Sequence, residues 1–167
     1  MKTITAILFA LGLMLSSLFS MAQSKSDKIY NSLEDKDGVT SFTFTKDMVD
    51  AFNIDLGDEG EEKNVSGDLN KIRFMSYNPE KGTQSAESFL ADAVAMLPPQ
   101  YKKYEEEGDE DSNAEIWLLG NKKKYSECHV FVSNENPNGN CFIVSFYGDF
   151  KVNDLDILKE TGKGMSK

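Results

Sequence analysis

The sequence predicts an α+β domain: a mostly antiparallel sheet of about five strands, helices largely on one face, and a C-terminal three-strand meander followed by a helix. Three observations predict it. Asn140 to Phe150 (Asn-Cys-Phe-Ile-Val-Ser-Phe-Tyr-Gly-Asp-Phe) is the longest unbroken β-favouring run. Three strand-like runs, 114–120, 125–133 and 140–150, follow one another with turn formers between them. Thr83 to Leu97 carries one apolar stripe at helical spacing, made by Phe89, Leu90, Ala93, Val94 and Leu97.

The chain opens with a lysine at position 2 and an apolar stretch from Ile4 to Leu15, then Ser20-Met-Ala22. This is the outline of a secretory signal peptide over residues 1–22, with the mature chain beginning at Gln23. The apolar core falls short of the roughly 20 residues a bilayer span takes, and no Cys near the cut offers a lipid attachment point. The expectation is a periplasmic or secreted chain with no stable membrane anchor, and a single domain over 23–167. Its formal net charge is −10, and losing a leader whose one charge is a Lys makes it more acidic still. Such a chain repels phosphate backbones and anionic lipid, which excludes nucleic acid as a partner class.

Ser26 to Glu34 reads as a short helix, with Ser26 and Asp27 available to cap it and Ile29 and Leu33 one turn apart. Val39 to Thr45 reads as a strand; Phe42 and Phe44 share a face that the alternation predicts to be buried. Thr45 or Asp47 then caps a helix through Phe52 with Met48, Val49 and Phe52 inward. Asp55 to Gly67 is an acid-rich loop. Leu69 to Tyr77 is the next strand, Ile72 and Phe74 on one face, Met75 and Tyr77 on the other. Pro98-Pro99 ends the 83–97 helix, and Pro99 can open a short helix through Tyr104.

In the meander, Cys141, Ile143 and Tyr147 fall on one face of the last strand and Phe142, Val144 and Phe146 on the other. A strand apolar on both faces is an inner one, covered on both sides. Gly148 allows a bend or bulge, and Val152 to Lys159 reads as the closing helix. With a four-residue turn around Pro137, Val132 is expected opposite Cys141 and Cys128 opposite Ser145. That puts both sulfurs on one face but roughly 13 Å apart along the strands, too far to bridge.

Three phrases, in order, carry a resemblance: Asp37-Gly-Val-Thr-Ser-Phe-Thr-Phe-Thr-Lys-Asp-Met48, Leu69-Asn-Lys-Ile-Arg-Phe74 onward to Tyr77, and Ile143-Val-Ser-Phe-Tyr-Gly-Asp-Phe150. Together they resemble the DUF4252 family, uncharacterised bacterial envelope proteins frequent in Bacteroidetes. The likeness covers roughly residues 25–160. It implies an envelope location and a small α+β domain, and it transfers no catalytic residue. Many family members look like lipoproteins; the Cys such an anchor needs is missing here.

No residue pattern assembles a catalytic or cofactor site. The single histidine, His129, is expected half-exposed on its strand; Cys128 beside it points to the opposite face, so the two cannot form a nucleophile–base pair. Asp109, Asp111, Asn113 and Glu115 place oxygen ligands at alternate positions, as a calcium loop begins, but Ala114 and Gly120 stand where such a loop needs Gly and a bidentate Glu. Trp117, Tyr101 and Tyr104 could serve a recognition surface or pack over a sheet edge. The leading expectation is a non-enzymatic binding or interaction module, its partner an envelope protein or a second copy. The alternatives are a carboxylate-based glycan hydrolase and a calcium-stabilised structural protein. Expressed with its own leader in a bacterium, the exported chain is expected to begin at Gln23 by intact mass; retention of residues 1–22 would contradict the leader.

Overall fold

The structure is a computed structural model that describes residues 26–48, 68–104, 113–121, 124–134 and 136–151. Its elements are α1 (Asp27–Leu33), β1 (Val39–Thr45), β2 (Asp68–Tyr77), α2 (Ala86–Ala95), β3 (Lys102–Tyr104), β4 (Ala114–Asn121), β5 (Lys124–Val132) and β6 (Cys141–Phe150). The 55–67 loop, the expected helix at 152–159 and the end of the one expected through Phe52 lie outside the described residues.

The strands form one sheet in the order β1-β2-β6-β5-β4-β3, every neighbouring pair antiparallel. β6 therefore lies between β2 and β5, and Cys141 through Tyr147 are buried without interruption. The two apolar faces divide as the alternation requires. Cys141 and Ile143 pack with Met75, Tyr77 and Phe131 beneath Ile29, Tyr30 and Leu33 of α1 and Phe89 and Ala93 of α2. Phe142, Val144 and Phe146 join Ile72, Ile116, Leu118, Cys128, Val130 and Val132 on the far face. Both described helices lie on the first face.

α2 is positioned from β2. Tyr77 stacks on Phe89 with ring centroids 4.1 Å apart, and its hydroxyl donates to the Gln84 carbonyl at 2.7 Å. Ser85 then caps the helix, its Oγ accepting from Ser88 N. At the same end of β2, Gly38 (φ 83°) brings the turn before β1 against 78–82, where a Cβ would collide with the Asn78 carbonyl. Gly148 (φ 142°) sits where β6 loses register with both neighbours, the bend expected after the hydrophobic run.

Four expectations are corrected. Among the described residues the sheet has six strands rather than five: after a turn closed by Tyr101 N donating to the Pro98 carbonyl, residues 102–104 do not continue a helix but pair with Ile116–Leu118. A three-residue strand is too short to leave a period in the sequence. The β5–β6 register is one residue off the expected one: Val132 faces Phe142, and Cys128 faces Phe146. One step reverses faces, so Cys128 and Cys141 lie on opposite sides of the sheet, both buried and unbridged. Met48 is 41% exposed rather than inward, and Phe42 is 57% exposed. Phe42 lacks cover because β1 is an edge strand with a neighbour on one side only among the described strands. His129, expected half-exposed, is fully buried.

Since both faces of β6 are covered, truncation on either should be costly: Ile143→Ala about 2–5 kcal/mol and Phe146→Ala about 3–5 kcal/mol. Urea unfolding of the two variants checks this, and a loss under about 1 kcal/mol for either would mean that its face is not packed.

Candidate functional site

Polar residues inside a two-faced apolar sheet need partners, and here they find one another. Glu127 and His129 are two apart on β5 and so project to the same face, the one under α1. Ser145 of β6 is directly opposite His129, and His129 Nδ1 lies 2.6 Å from Ser145 Oγ. Tyr30 reaches down from α1; its hydroxyl lies 2.8 Å from Ser145 Oγ and 2.9 Å from the Arg73 carbonyl. Glu127 Oε2 accepts from Ser26 Oγ at 2.7 Å and from Tyr101 OH at 2.6 Å, and Ser26 Oγ is 3.2 Å from Tyr147 OH. Glu127 Oε2 is also the nearest carboxylate oxygen to His129 Nε2, at 3.6 Å, beyond hydrogen-bonding distance.

The protons can be placed. A bare Nε2 lone pair facing a carboxylate would be repelled, so Nε2 carries the proton and Nδ1 accepts from Ser145; Tyr30 shares its single proton between Ser145 Oγ and the Arg73 carbonyl. The rings of Tyr101, Tyr147 and Phe131 surround the imidazole at 5.3, 6.0 and 6.5 Å. Burial holds His129 below its ordinary 6.5, against the opposing pull of Glu127, so the ring is neutral. Burial likewise raises the Tyr30 and Tyr101 hydroxyls, keeping them as donors, and pushes Tyr147 up to about 12.

A second polar layer fastens α1 from its rim. Asp27 Oδ1 is 3.1 Å from Arg73 Nη1 and 3.5 Å from Lys71 Nζ, and Arg73 Nη2 is 3.5 Å from Glu34. The Arg73 guanidinium lies 3.9 Å over the Tyr30 ring, and Lys71 lies 4.1 Å over Tyr147.

Ser145, His129 and Glu127 are the residue types of a hydrolytic triad, but their arrangement does not perform that chemistry. Ser145 and His129 have no exposed surface, so no substrate carbonyl can reach the hydroxyl, and the chain of bonds ends in helix-docking groups. It is a clasp between α1 and the sheet. The sequence held one sign of it: Ser145 interrupts a run that is otherwise apolar on both faces, and a buried hydroxyl there needs a hydrogen-bonding partner.

Among the described residues, an opening available to a ligand lies elsewhere. A cleft of about 750 Å³ runs between α2 and the ends of β4 and β5. Leu90 and Val94 form one wall and Phe131 the floor, with Ser133, Asn134 and Asn136 at the rim. The rim loop is pre-shaped: Asn134 Oδ1 accepts from Asn136 N at 2.9 Å, and Asn136 Oδ1 from Asn138 N at 3.0 Å. Ser133 donates through N and Oγ to the Asn113 carbonyl, at 2.8 and 3.0 Å.

The other residues singled out from sequence disperse. Asp109 and Asp111 lie outside the described residues. Asn113 and Glu115 border the cleft, but the Glu115 carboxylate is held by Trp117 Nε1 at 2.9 Å and Lys103 Nζ at 3.1 Å. Among the described residues no three of His, Cys, Asp and Glu cluster as metal ligands, and none of the helices is long and apolar enough to cross a membrane. Tyr101 is buried in the clasp, while Trp117 is half-buried beside Phe131's cluster. Asp149 is exposed, paired with Lys124 at 2.8 Å.

The clasp makes a pH prediction. The unfolded chain's histidine titrates near 6.5 and the buried one lower, so the unfolded state binds more protons in between. The contribution is complete above about pH 6.5 and is lost as pH falls below it. Unfolding curves from pH 7.5 to 5 should show that slope in the native chain and a flatter one in His129→Gln; equal slopes would mean that the imidazole titrates normally.

Residues 30–158 match the family described as a domain of unknown function, DUF4252. No curated protein and no solved structure matches the chain.

Proposed function

The chain belongs to the DUF4252 family, and from that premise we propose that it is an exported, non-enzymatic binding module whose ligand seats in the cleft between α2 and the ends of β4 and β5. The observation that carries this reading is the division between the two polar regions. The protein's single histidine, with Ser145 and Glu127, is sealed in the clasp, while the open cleft offers an apolar floor and hydrogen-bonding amides, its serines and glutamates having no histidine beside them. Its volume falls in the range of small-ligand and peptide sites. Glu87 and Glu115 at its border favour a neutral or cationic ligand over an anionic one. A short extended peptide with an aliphatic side chain and a basic neighbour meets those requirements. The apolar leader-like segment and the acidic, DNA-repelling charge support a periplasmic or secreted setting.

Short peptides bearing Leu and Lys, titrated into ¹⁵N-labelled chain, should shift resonances of Leu90, Val94, Phe131 and Asn134, and matched Leu–Asp peptides should not. Leu90→Arg combined with Val94→Arg should abolish the shifts while far-UV circular dichroism is unchanged. Shifts confined to other surfaces would refute the cleft. Turnover of a glycan or peptide that Glu127→Gln or Ser145→Ala suppresses would refute the non-enzymatic reading.

A further inference from the structure

The two edges of the sheet are built differently. β3 is three residues long, and Lys102 and Lys103 are exposed along it; short length and lysine are two of the usual ways a sheet edge is kept from pairing with another chain. β1 has neither. It runs seven residues, Val-Thr-Ser-Phe-Thr-Phe-Thr, with no charge, no Pro and no Gly. Its pairing with β2 holds register from Val39↔Tyr77 to Thr45↔Lys71 without a bulge. Thr40, Phe42, Thr43 and Thr45 are exposed. In a chain of net charge −10, an uncharged strand at the rim is the place where two copies can approach without like-charge repulsion.

The backbone directions can be read. Asn78 N donates to the Gly38 carbonyl at 2.9 Å, so Gly38 and Asn78 are a hydrogen-bonded pair. By the alternation of an antiparallel ladder, Thr40, Phe42 and Phe44 also turn their amides toward β2. Val39, Ser41, Thr43 and Thr45 turn theirs outward; Val39 N accordingly bonds back to the Lys36 carbonyl at 3.2 Å.

From this the geometry points to a homodimer in which β1 pairs antiparallel with β1 of a second copy about a two-fold axis at Phe42. Phe42 is the midpoint of the strand, so this register uses the whole of it. Ser41 then exchanges hydrogen bonds with Thr43 of the other copy and Thr43 with its Ser41, while Thr45 donates to the Val39 carbonyl. Phe42 meets Phe42 at a non-hydrogen-bonded position, where cross-strand side chains come closest. The aromatic row Phe142–Phe74–Phe42, with centroids 5.8 and 6.4 Å apart, thereby continues across the axis and covers the half-exposed ring. The result is one continuous sheet through both protomers. A contact confined to one edge is smaller than a standard interface, so the affinity is weak, on the order of micromolar.

Sedimentation velocity over a concentration series tests this. The native chain is expected to show a reversible monomer–dimer equilibrium, and Thr43→Lys, a change at an exposed position, to leave monomer only with unchanged circular dichroism. Phe42→Cys should oxidise to a covalent dimer, because its counterpart lies directly opposite within disulfide reach. Thr40→Cys, on the same face but opposite Phe44, should not. The native Cys128 and Cys141 are buried and do not compete. Monomer at every concentration would overturn the pairing, including the case in which a different chain takes the edge. So would a dimer that Thr43→Lys leaves intact, or cross-linking of Thr40→Cys as ready as that of Phe42→Cys.

Discussion

Burying both faces of β6 is the condition that the rest of the structure meets. A strand with Phe142, Val144 and Phe146 on one side and Cys141, Ile143 and Tyr147 on the other can only be central, so β2 and β5 must flank it, and α1 and α2 must lie across one of its faces. The same burial turns the hydroxyl of Ser145, which has no exposed surface, from a detail into a demand. A hydroxyl with no access to water needs partners within the protein. His129 opposite it and Tyr30 above it meet that need, and beside the imidazole Glu127 separately accepts from Ser26 and Tyr101. The helix is thereby tied to the sheet by direction-specific contacts as well as by Ile29 and Leu33, which any apolar surface would accept.

That arrangement separates two kinds of polarity in one small molecule. Beneath α1, polar groups are spent on one another and hold a single arrangement of helix and sheet. Beside α2, the amides at the mouth of the cleft are ordered by their own turn and the floor is apolar. Activity read from residue types alone would fix on the first region, since it contains a serine, a histidine and a glutamate. Accessibility reverses that judgement.

Much of this was legible in the chain. The strand at 39–45 was placed to the residue, and the meander, the helix carrying Phe89 and Ala93, and the two-sided burial of β6 followed from alternation and spacing, which reflect which side of an element meets the core. What local pattern does not encode is how far one strand slides along another. The turn at 134–139 fits more than one register, and the expected one put Cys128 and Cys141 on the same face. β3 was missed because three residues have no period, and its pairing with β4 comes from tertiary contact. The cleft was invisible for a related reason: its walls come from α2, β4, β5 and the 134–137 turn, and only the fold brings them together. His129 was misjudged because a lone histidine on a strand says nothing of its cover; the acid two residues before it was the available clue, since the expected register set Ser145 opposite Cys128 instead.

The order of strands also bears on how the molecule comes into being. The last strand of the described sheet is the keystone between its two halves, β1–β2 on one side and β3–β4–β5 on the other. A nascent chain leaving the ribosome delivers those halves first and the piece that joins them last, so the sheet cannot close until residue 150 has emerged. Vectorial synthesis therefore holds the polypeptide open, with no finished core to unravel, for nearly its entire passage out of the tunnel. If the chain is exported as proposed, that delay would suit its threading through a narrow translocase.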